Sequence, residues 1–470
     1  MSPLKSPQQV VNALWADAQL DPLALARLTL TGADPVLPSS FAVGTVAQAA
    51  LAAAALAATE IGRARNGVAQ RVAVDMTAAT LECLNWFSID GRTPDAWDKL
   101  SGLYRCADGY VRVHANFAHH RDGVLRLLGL PEGSETPRSA VEAALAKRSA
   151  LAFEQAAADA NMVVAAVRSQ AEWDAHPQGQ AVASLPLLVW EKLGDAPPLP
   201  WSPLAHDQRQ IVRPLSGLRV LDLTRILAGP ICGRTLAAYG ADVLLVNSPA
   251  LPNIESIIET SRGKLSCHVE LREPAGQAAL RALLADADVF VQGYRPGGLA
   301  ALGFGPEQAA QIRPGIVCIS LSAYGHIGPW SGRRAFDSLV QSASGFNDAE
   351  RKAAGADAPK ALPTQILDCA TGLLMAFAAQ AARLRQAREG GSWLVRLSLA
   401  QTGHWLRSLG RLAHGFSAER PSLKPYLESS ASGWGELVAV RHAAQFSHTP
   451  AGWDRPSVRP GTHPPAWPTA

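Results

Sequence analysis

The sequence predicts an α/β protein: an open, mostly parallel sheet with a smaller mixed domain beside it. Between about Pro214 and Ser344, short apolar runs rich in Val, Ile and Leu alternate with helical segments, the pattern of right-handed βαβ crossovers. The stretch from Gly102 to Val113 has another texture, two short strands about an Ala107-Asp108-Gly109 turn, which reads as a hairpin heading a separate α+β unit. A chain of 470 residues, 48% of them apolar, is also too long for one ordinary core and calls for two or three domains.

Residues 1–39 read as an N-terminal segment without the hydrophobic core of a signal peptide. The most apolar stretch, Val46 to Ala58, is Ala-dominated and too short to span a bilayer, so a buried helix is expected. Residues 40–205 hold a helix–strand unit and the small domain, whose helices are expected at Ser139 to Lys147 and Leu151 to Ala160. The Pro-rich run Ala196 to Pro203 reads as an interdomain linker, with the linker segment placed at 206–213 between the two domains. The sheet domain, 214–410, has strands at Leu218 to Leu223, Asp242 to Val246, Ser266 to Leu271, Val289 to Val291 and Ile316 to Leu321. Its helices are expected near Gly233 to Tyr239 and from Pro274 to Ala287. Residues 411–470 read as a Pro-rich tail, extended from Pro450 onward.

The helix–strand unit occurs twice. Thr45 to Ala49, an Ala-rich helix, Ala64-Arg65 and Arg71 to Met76 match Asp368 to Gly372, a second Ala-rich helix, Ala387-Arg388 and Leu394 to Leu399 at a shift of 323 positions. That shift lays Thr45 on Asp368, so one copy alone carries a carboxylate where its helix begins.

The 43 basic residues nearly cancel the 40 acidic ones and form no long run, which argues against a nucleic-acid partner. Six scattered cysteines without a C-x-x-C pair argue against a disulfide framework and a zinc site, so no metal is expected, and they suit a reducing cytoplasm. An open sheet binds ligands beyond the carboxyl ends of its strands, here Thr224 to Pro230, Gly293 to Gly298 and Ser322 to Pro329. The first of these loops lacks G-x-G-x-x-G spacing, which disfavours a dinucleotide.

Six motifs in order give the chain a family likeness. They are Pro214 to Arg225 with Ala228-Gly229-Pro230, Leu236 to Val243, Arg262 to Ser266, Gly293 to Gly297, Ser322 to Gly325 with Gly328-Pro329, and Asp368 in its Ala-Thr-Gly setting. In these the chain resembles the class III CoA-transferases, the family of formyl-CoA:oxalate and carnitine CoA-transferases and the α-methylacyl-CoA racemases. The resemblance implies a Rossmann-like sheet domain plus a smaller α+β domain, in rotated order: 40–205 resembles the later part of a member and 214–410 the earlier part. The small domain around Gly102 to Ala160 is then expected to cover the site of Asp368.

By the same resemblance Asp368 is the nucleophile, attacking an acyl-CoA thioester. By local sequence alone an N-cap explains it too. Lys264 and Arg295 are suited to the phosphates of coenzyme A, although a solvated surface charge is the alternative for each. Ala228, Gly293 and Gly325 are expected where the backbone approaches the ligand, and Tyr294 and Tyr324 along the acyl or pantetheine channel; turns and packing explain these as well. Coenzyme A enters as substrate, with no tightly bound cofactor; the partners are an acyl-CoA and a carboxylic acid acceptor, with no membrane. Members form interlocked dimers, so a homodimer is implied, or its equivalent within one chain.

Three departures stand out. The second strand ends Asn247-Ser248-Pro249 rather than in a Glu-Pro-like pair, and Leu299 to Gly303 lacks a basic residue. The racemases' histidine position is filled by Phe336 in Ala335-Phe336-Asp337, and phenylalanine carries no proton; His326 lies nearby as a substitute. The resemblance therefore favours a CoA-transferase over a racemase or isomerase, with a catalytically weak acyl-CoA-binding subunit as a third reading.

Overall fold

The structure, a computed structural model, describes residues 4–204 and 212–468. All but the last two residues of the segment expected as a linker, 206–213, lie outside the described residues.

The alternating apolar runs do form one sheet. Its strands lie in the order Leu265–His268, Asp242–Asn247, Arg219–Leu223, Val289–Gln292, Val317–Ser322, Ser392–Ser398 and Val189–Gly194; the first six are parallel and the last is an antiparallel edge. Helices Ala228–Ala238 and Pro274–Ala285 cover its faces, which is why Val220, Leu221, Leu223 and Val243 are all buried and the runs show no polar alternation. Winding reverses between Arg219–Leu223 and Val289–Gln292, and beyond their carboxyl ends such a reversal opens a crevice.

The two Ala-rich helices are Val43–Asn66 and Ile366–Glu389, 24 residues each and separated by the shift seen in the sequence. Each follows a residue with φ −76° and ψ 61°, Ala42 and Gln365. They pack directly on one another, and Gln380 Nε2 donates to the carbonyl of Ala54 at 3.0 Å. The first is longer than the apolar run suggested, long and apolar enough by composition to cross a bilayer, yet its apolar window is wholly buried inside the protein.

The short helix Ala228–Ala238 crosses the second long helix at Gly372. A Cβ there would stand 2.4 Å from the carbonyl oxygen of Ala228, inside any permitted contact. Only glycine lets the backbones come this close.

The hairpin Gly102–Arg105 and Tyr110–Val113 is joined by Val164–Ala166 into a three-stranded antiparallel sheet. Helices Ala118–Leu128, Arg138–Leu145 and Ala150–Asp159 pack on it around a separate core that includes Tyr104, Val111, Leu125 and Phe153.

The chain ends differ from a plain segment and a tail. Leu28–Thr31 pairs in parallel with Val72–Asp75, whose other side takes Ala444–Phe446. Leu427–Ser432 and Gly435–Val440 form a hairpin that pairs with Phe87–Ile89. Alternating apolar residues such as Leu437 and Ala439 find cover there, which the prolines elsewhere in the segment obscured. The described residues 450–468 form neither helix nor strand and run over the sheet domain, where Trp453 Nε1 donates to the carbonyl of Arg234 and Trp467 Nε1 to that of Leu283.

Gly372→Val is expected to lower stability by at least about 2 kcal/mol, because the added atoms must push two packed helices apart. A urea unfolding midpoint equal to that of the wild type would contradict the close crossing.

Candidate functional site

A cavity of about 320 Å³ opens at the reversal point of the sheet, between it and the small domain. Loops after the strands supply Arg225, Gly293, Tyr294, Arg295 and Ala323; the segment before the Asp337–Ala343 helix supplies Arg333 to Phe336. The small domain adds Phe117, His119, His120 and Val163. Four arginines line this space, and among the described residues no Asp or Glu does.

The arginines are not equally engaged. Arg225 donates to the carbonyl of Pro252 and lies 5.6 Å from the Phe117 ring. Arg333 stacks 4.1 Å over Trp330 and donates to the carbonyl of Glu154 at 3.2 Å. Arg295 and Arg334 have no side-chain hydrogen bond and no ion pair among the described residues. Burial, and then the neighbouring Arg295, pull the Arg334 guanidinium below its usual value. Both are exposed and line the cavity, and such guanidinium groups suit an anionic ligand.

Behind this wall lies a pair of carboxyl groups. Asp337 directly follows Phe336, and its Oδ2 accepts the backbone N–H of Asp368 at 2.9 Å. It thus caps the second long helix from outside. Asp368 itself is not the cap, as local sequence allowed, because the helix begins at Ile366 and places it in the first turn. The first long helix is held in the same way: Asp34 accepts from the backbone N–H groups of Gly44 and Thr45 at 2.9 and 2.8 Å, and from the Thr45 hydroxyl at 2.7 Å.

Asp368 is 9% exposed, and its carboxylate has no hydrogen-bond partner among the described residues. Burial, and then the charge of Asp337, raise it well above the ordinary carboxylate range. Asp337 is raised to about 6, chiefly by burial, despite its hydrogen bonds. Asp368 does not itself line the cavity; Ala335 and Phe336 do, and they run directly into Asp337, which bonds the Asp368 N–H.

Four sequence assignments are corrected. Lys264 is 0% exposed, and its Nζ lies 2.9 Å from Asp222 Oδ2 and 2.8 Å from the Pro230 carbonyl, so it ties the strand Arg219–Leu223 to the first turn of the helix Ala228–Ala238 and is shut off from the cavity. Ala228 is buried in the helix crossing at Gly372. Tyr324 is buried against Trp330 and Trp173, with ring centroids 4.9 and 6.2 Å away. Gly325 serves a turn with φ +101° and does not line the cavity. Gly293, Tyr294 and Arg295 line the cavity. His326 lines a second cavity of about 170 Å³, which shares Tyr294, Arg295 and Pro296 with the first.

Sequence reasoning missed Arg225, Arg333, Arg334, His119, His120 and the capping role of Asp337. The adjacent doublets Arg333-Arg334 and His119-His120 were the available signal, each just ahead of or within the start of a helix. The hairpin domain does come to the Asp368 region: His114 stacks on Phe336 at 4.0 Å, and the Arg168 N–H donates to the Ser342 carbonyl at 3.0 Å.

These elements define an α/β protein with an arginine-lined crevice at the carboxyl edge of its sheet, walled on one side by a second domain. The model of CoA-transferase family III matches residues 23–199 and 215–426, and the chain belongs to that family. It is 29% identical over 326 residues to an acetyl-coenzyme A transferase of Hypoxylon pulicicidum, covering 66% of this chain and 55% of that one. It is 32% identical to the succinyl-CoA:glutarate CoA-transferase of Mus musculus, over 42% of this chain and 48% of the relative. The chain spans about half the length of the curated relatives it matches. The crystal structure of Rv3272 from M. tuberculosis aligns at 31% identity over 42% of this chain and 57% of that one, with a TM-score of 0.40.

Lys264→Met is expected to cost about 3–5 kcal/mol of stability, because it leaves Asp222 charged and unpaired in the interior. Arg295→Ala should stay within about 0.5 kcal/mol of the wild type. Chemical denaturation of both variants separates a structural lysine from a ligand-facing arginine; equal losses would reverse the assignment.

Proposed function

We propose that the chain moves coenzyme A between two carboxylic acids, with Asp368 as the covalent carrier. The observation that carries this reading is a buried carboxylate without a hydrogen-bond partner, set behind a cavity lined by four arginines. The arginines suit the phosphates of coenzyme A, and the relatives' names pair carboxylic acids as donor and acceptor.

An oxygen of Asp368 attacks the thioester carbonyl carbon, the C–S bond breaks, and the CoA thiolate leaves an aspartyl-acyl anhydride. The thiolate then attacks the aspartyl carbonyl, releasing the donor carboxylate and forming an aspartyl-CoA thioester. An acceptor carboxylate attacks that thioester in turn, and the returning thiolate takes the acceptor acyl group and frees Asp368. Each step exchanges one activated acyl bond for another, so no barrier requires expulsion of a poor leaving group. The unpartnered state of Asp368 favours attack, since no hydrogen bond must be broken first.

Incubation with an acyl-CoA and hydroxylamine should place a hydroxamate on Asp368, read by mass spectrometry. An unmodified residue in protein that still binds coenzyme A would remove the reading. Asp368→Ala is expected to abolish exchange and Thr45→Ala to leave it intact, since Thr45 has no carboxylate to acylate.

Attack requires the ionised acid, so the exchange rate should rise with pH along a limb above the ordinary carboxylate range, because burial and Asp337 raise Asp368. Asp337→Asn keeps an oxygen to accept the Asp368 N–H but removes the repelling charge. Its limb should move to lower pH, measured as log kcat/KM against pH; a shift to higher pH would contradict the coupling.

A further inference from the structure

One loop carries much of the cavity wall and is itself held by a residue the reading above does not use. Residues 323–336 link the strand Val317–Ser322 to the helix Asp337–Ala343; Ala323 at one end and Arg333 to Phe336 at the other line the larger cavity. The middle, Tyr324 to Trp330, does not. It turns at Gly325 and Gly328 with φ +101° and +86° and joins no strand, so its backbone polar groups must bond to side chains or water.

Gln178, in the helix Pro177–Ala183, supplies those bonds. Its Nε2 donates to the carbonyls of Tyr324 and Ile327 at 2.8 and 2.9 Å, and its Oε1 accepts the N–H of Trp330 at 2.7 Å. A primary amide offers two N–H groups and an acceptor oxygen, and here all three are engaged. Gln178 is 0% exposed and lines neither cavity. The contact is tight as well: a Cβ on Gly328 would stand 2.5 Å from Gln178 Oε1 and 2.7 Å from the Ala181 Cβ.

What Gln178 fixes reaches the cavity through Trp330. The Arg333 N–H donates to the Trp330 carbonyl at 2.9 Å, and the Arg333 guanidinium lies 4.1 Å from the Trp330 ring centre. Arg334 to Phe336 follow directly, and then Asp337, which accepts the N–H of Asp368. Gln178 lies in the first of the two segments matched to the family and this loop in the second, so the amide joins the two parts of the chain beside the site.

We infer that Gln178 is a positioning residue for coenzyme A: by fixing Tyr324 to Trp330 it sets where Arg333 and Arg334 stand at the cavity, without touching the ligand. The inference rests on the CoA reading given above. Without the amide, two carbonyls and an N–H lose their partners, and the loop must shift to find others. The arginines shift with it.

The test is calorimetric binding of free coenzyme A to the full chain, with urea unfolding of each variant alongside. Gln178→Met keeps the length of the side chain and removes all three bonds; it should weaken binding roughly tenfold, the scale of one misplaced charge-assisted hydrogen bond. Gln70→Met is the control. Gln70 is 5% exposed, accepts the N–H groups of His448 and Thr449 at 3.2 and 3.1 Å and donates to the Thr449 hydroxyl oxygen at 3.0 Å, and none of these residues lines the cavity. Gln70→Met should lose stability and bind coenzyme A as wild type does. Gly328→Ala disturbs the Gln178 contact from the loop side, should weaken binding likewise, and decides alone where Gln178→Met does not fold. Wild-type affinity in folded Gln178→Met or Gly328→Ala, or an equal loss in Gln70→Met, overturns the inference and leaves the CoA reading standing. Failure of wild type to bind coenzyme A overturns that reading and the inference with it.

Discussion

The close approach of three helices at the centre of the molecule fixes almost everything else. Val43–Asn66 and Ile366–Glu389 are rich in alanine, so their backbones can come near enough for Gln380 to bond the Ala54 carbonyl, and Ala228–Ala238 crosses the second at a point where only glycine fits. Small side chains bury less apolar area each than leucine, but they exclude water along the whole length of the contact. The first turn of the second long helix, and with it Asp368, is thereby held against the sheet loops that precede Ala228.

Around that centre, charge is handled in two contrasting ways. Lys264 with Asp222, and Arg234 with Glu82 and Glu259, are buried and mutually paired, which makes the desolvation of each ion tolerable and ties the separate stretches of chain together. At the crevice the opposite holds. Arg295 and Arg334 face open space without a carboxylate, Asp368 is buried without a donor, and His120 is buried without any partner. Of these groups without partners, the arginines and the acid are the ones on which the proposed acyl-CoA reading rests.

Much of the architecture was legible along the chain because its signals are local. Apolar runs of three to six residues marked five of the six parallel strands within a residue or two, while the run Ser266 to Leu271 overshot its strand, which ends at His268; the Ala-Asp-Gly turn marked the hairpin. The C-terminal strands were obscured because Leu427–Ser432 is mostly polar and exposed; it becomes a strand only by pairing with Gly435–Val440. The site was legible in part. Gly293 to Arg295 follow a strand end and so had to reach the crevice, whereas Lys264 looked equally well placed and turned inward to Asp222, a partner 42 positions away.

The sequence by itself determined the alternation of strands and helices, the likeness of two helix–strand stretches 323 positions apart and the fact that only the later has an acid at the matching place, since each of these depends on residue type and spacing. Tertiary structure alone decided which cations stay free, which aspartate caps the acid's helix and which histidine enters the wall. Those outcomes depend on distances between residues far apart in the chain, and a buried charge or ring takes its role from whatever the fold sets within about 3–4 Å of it.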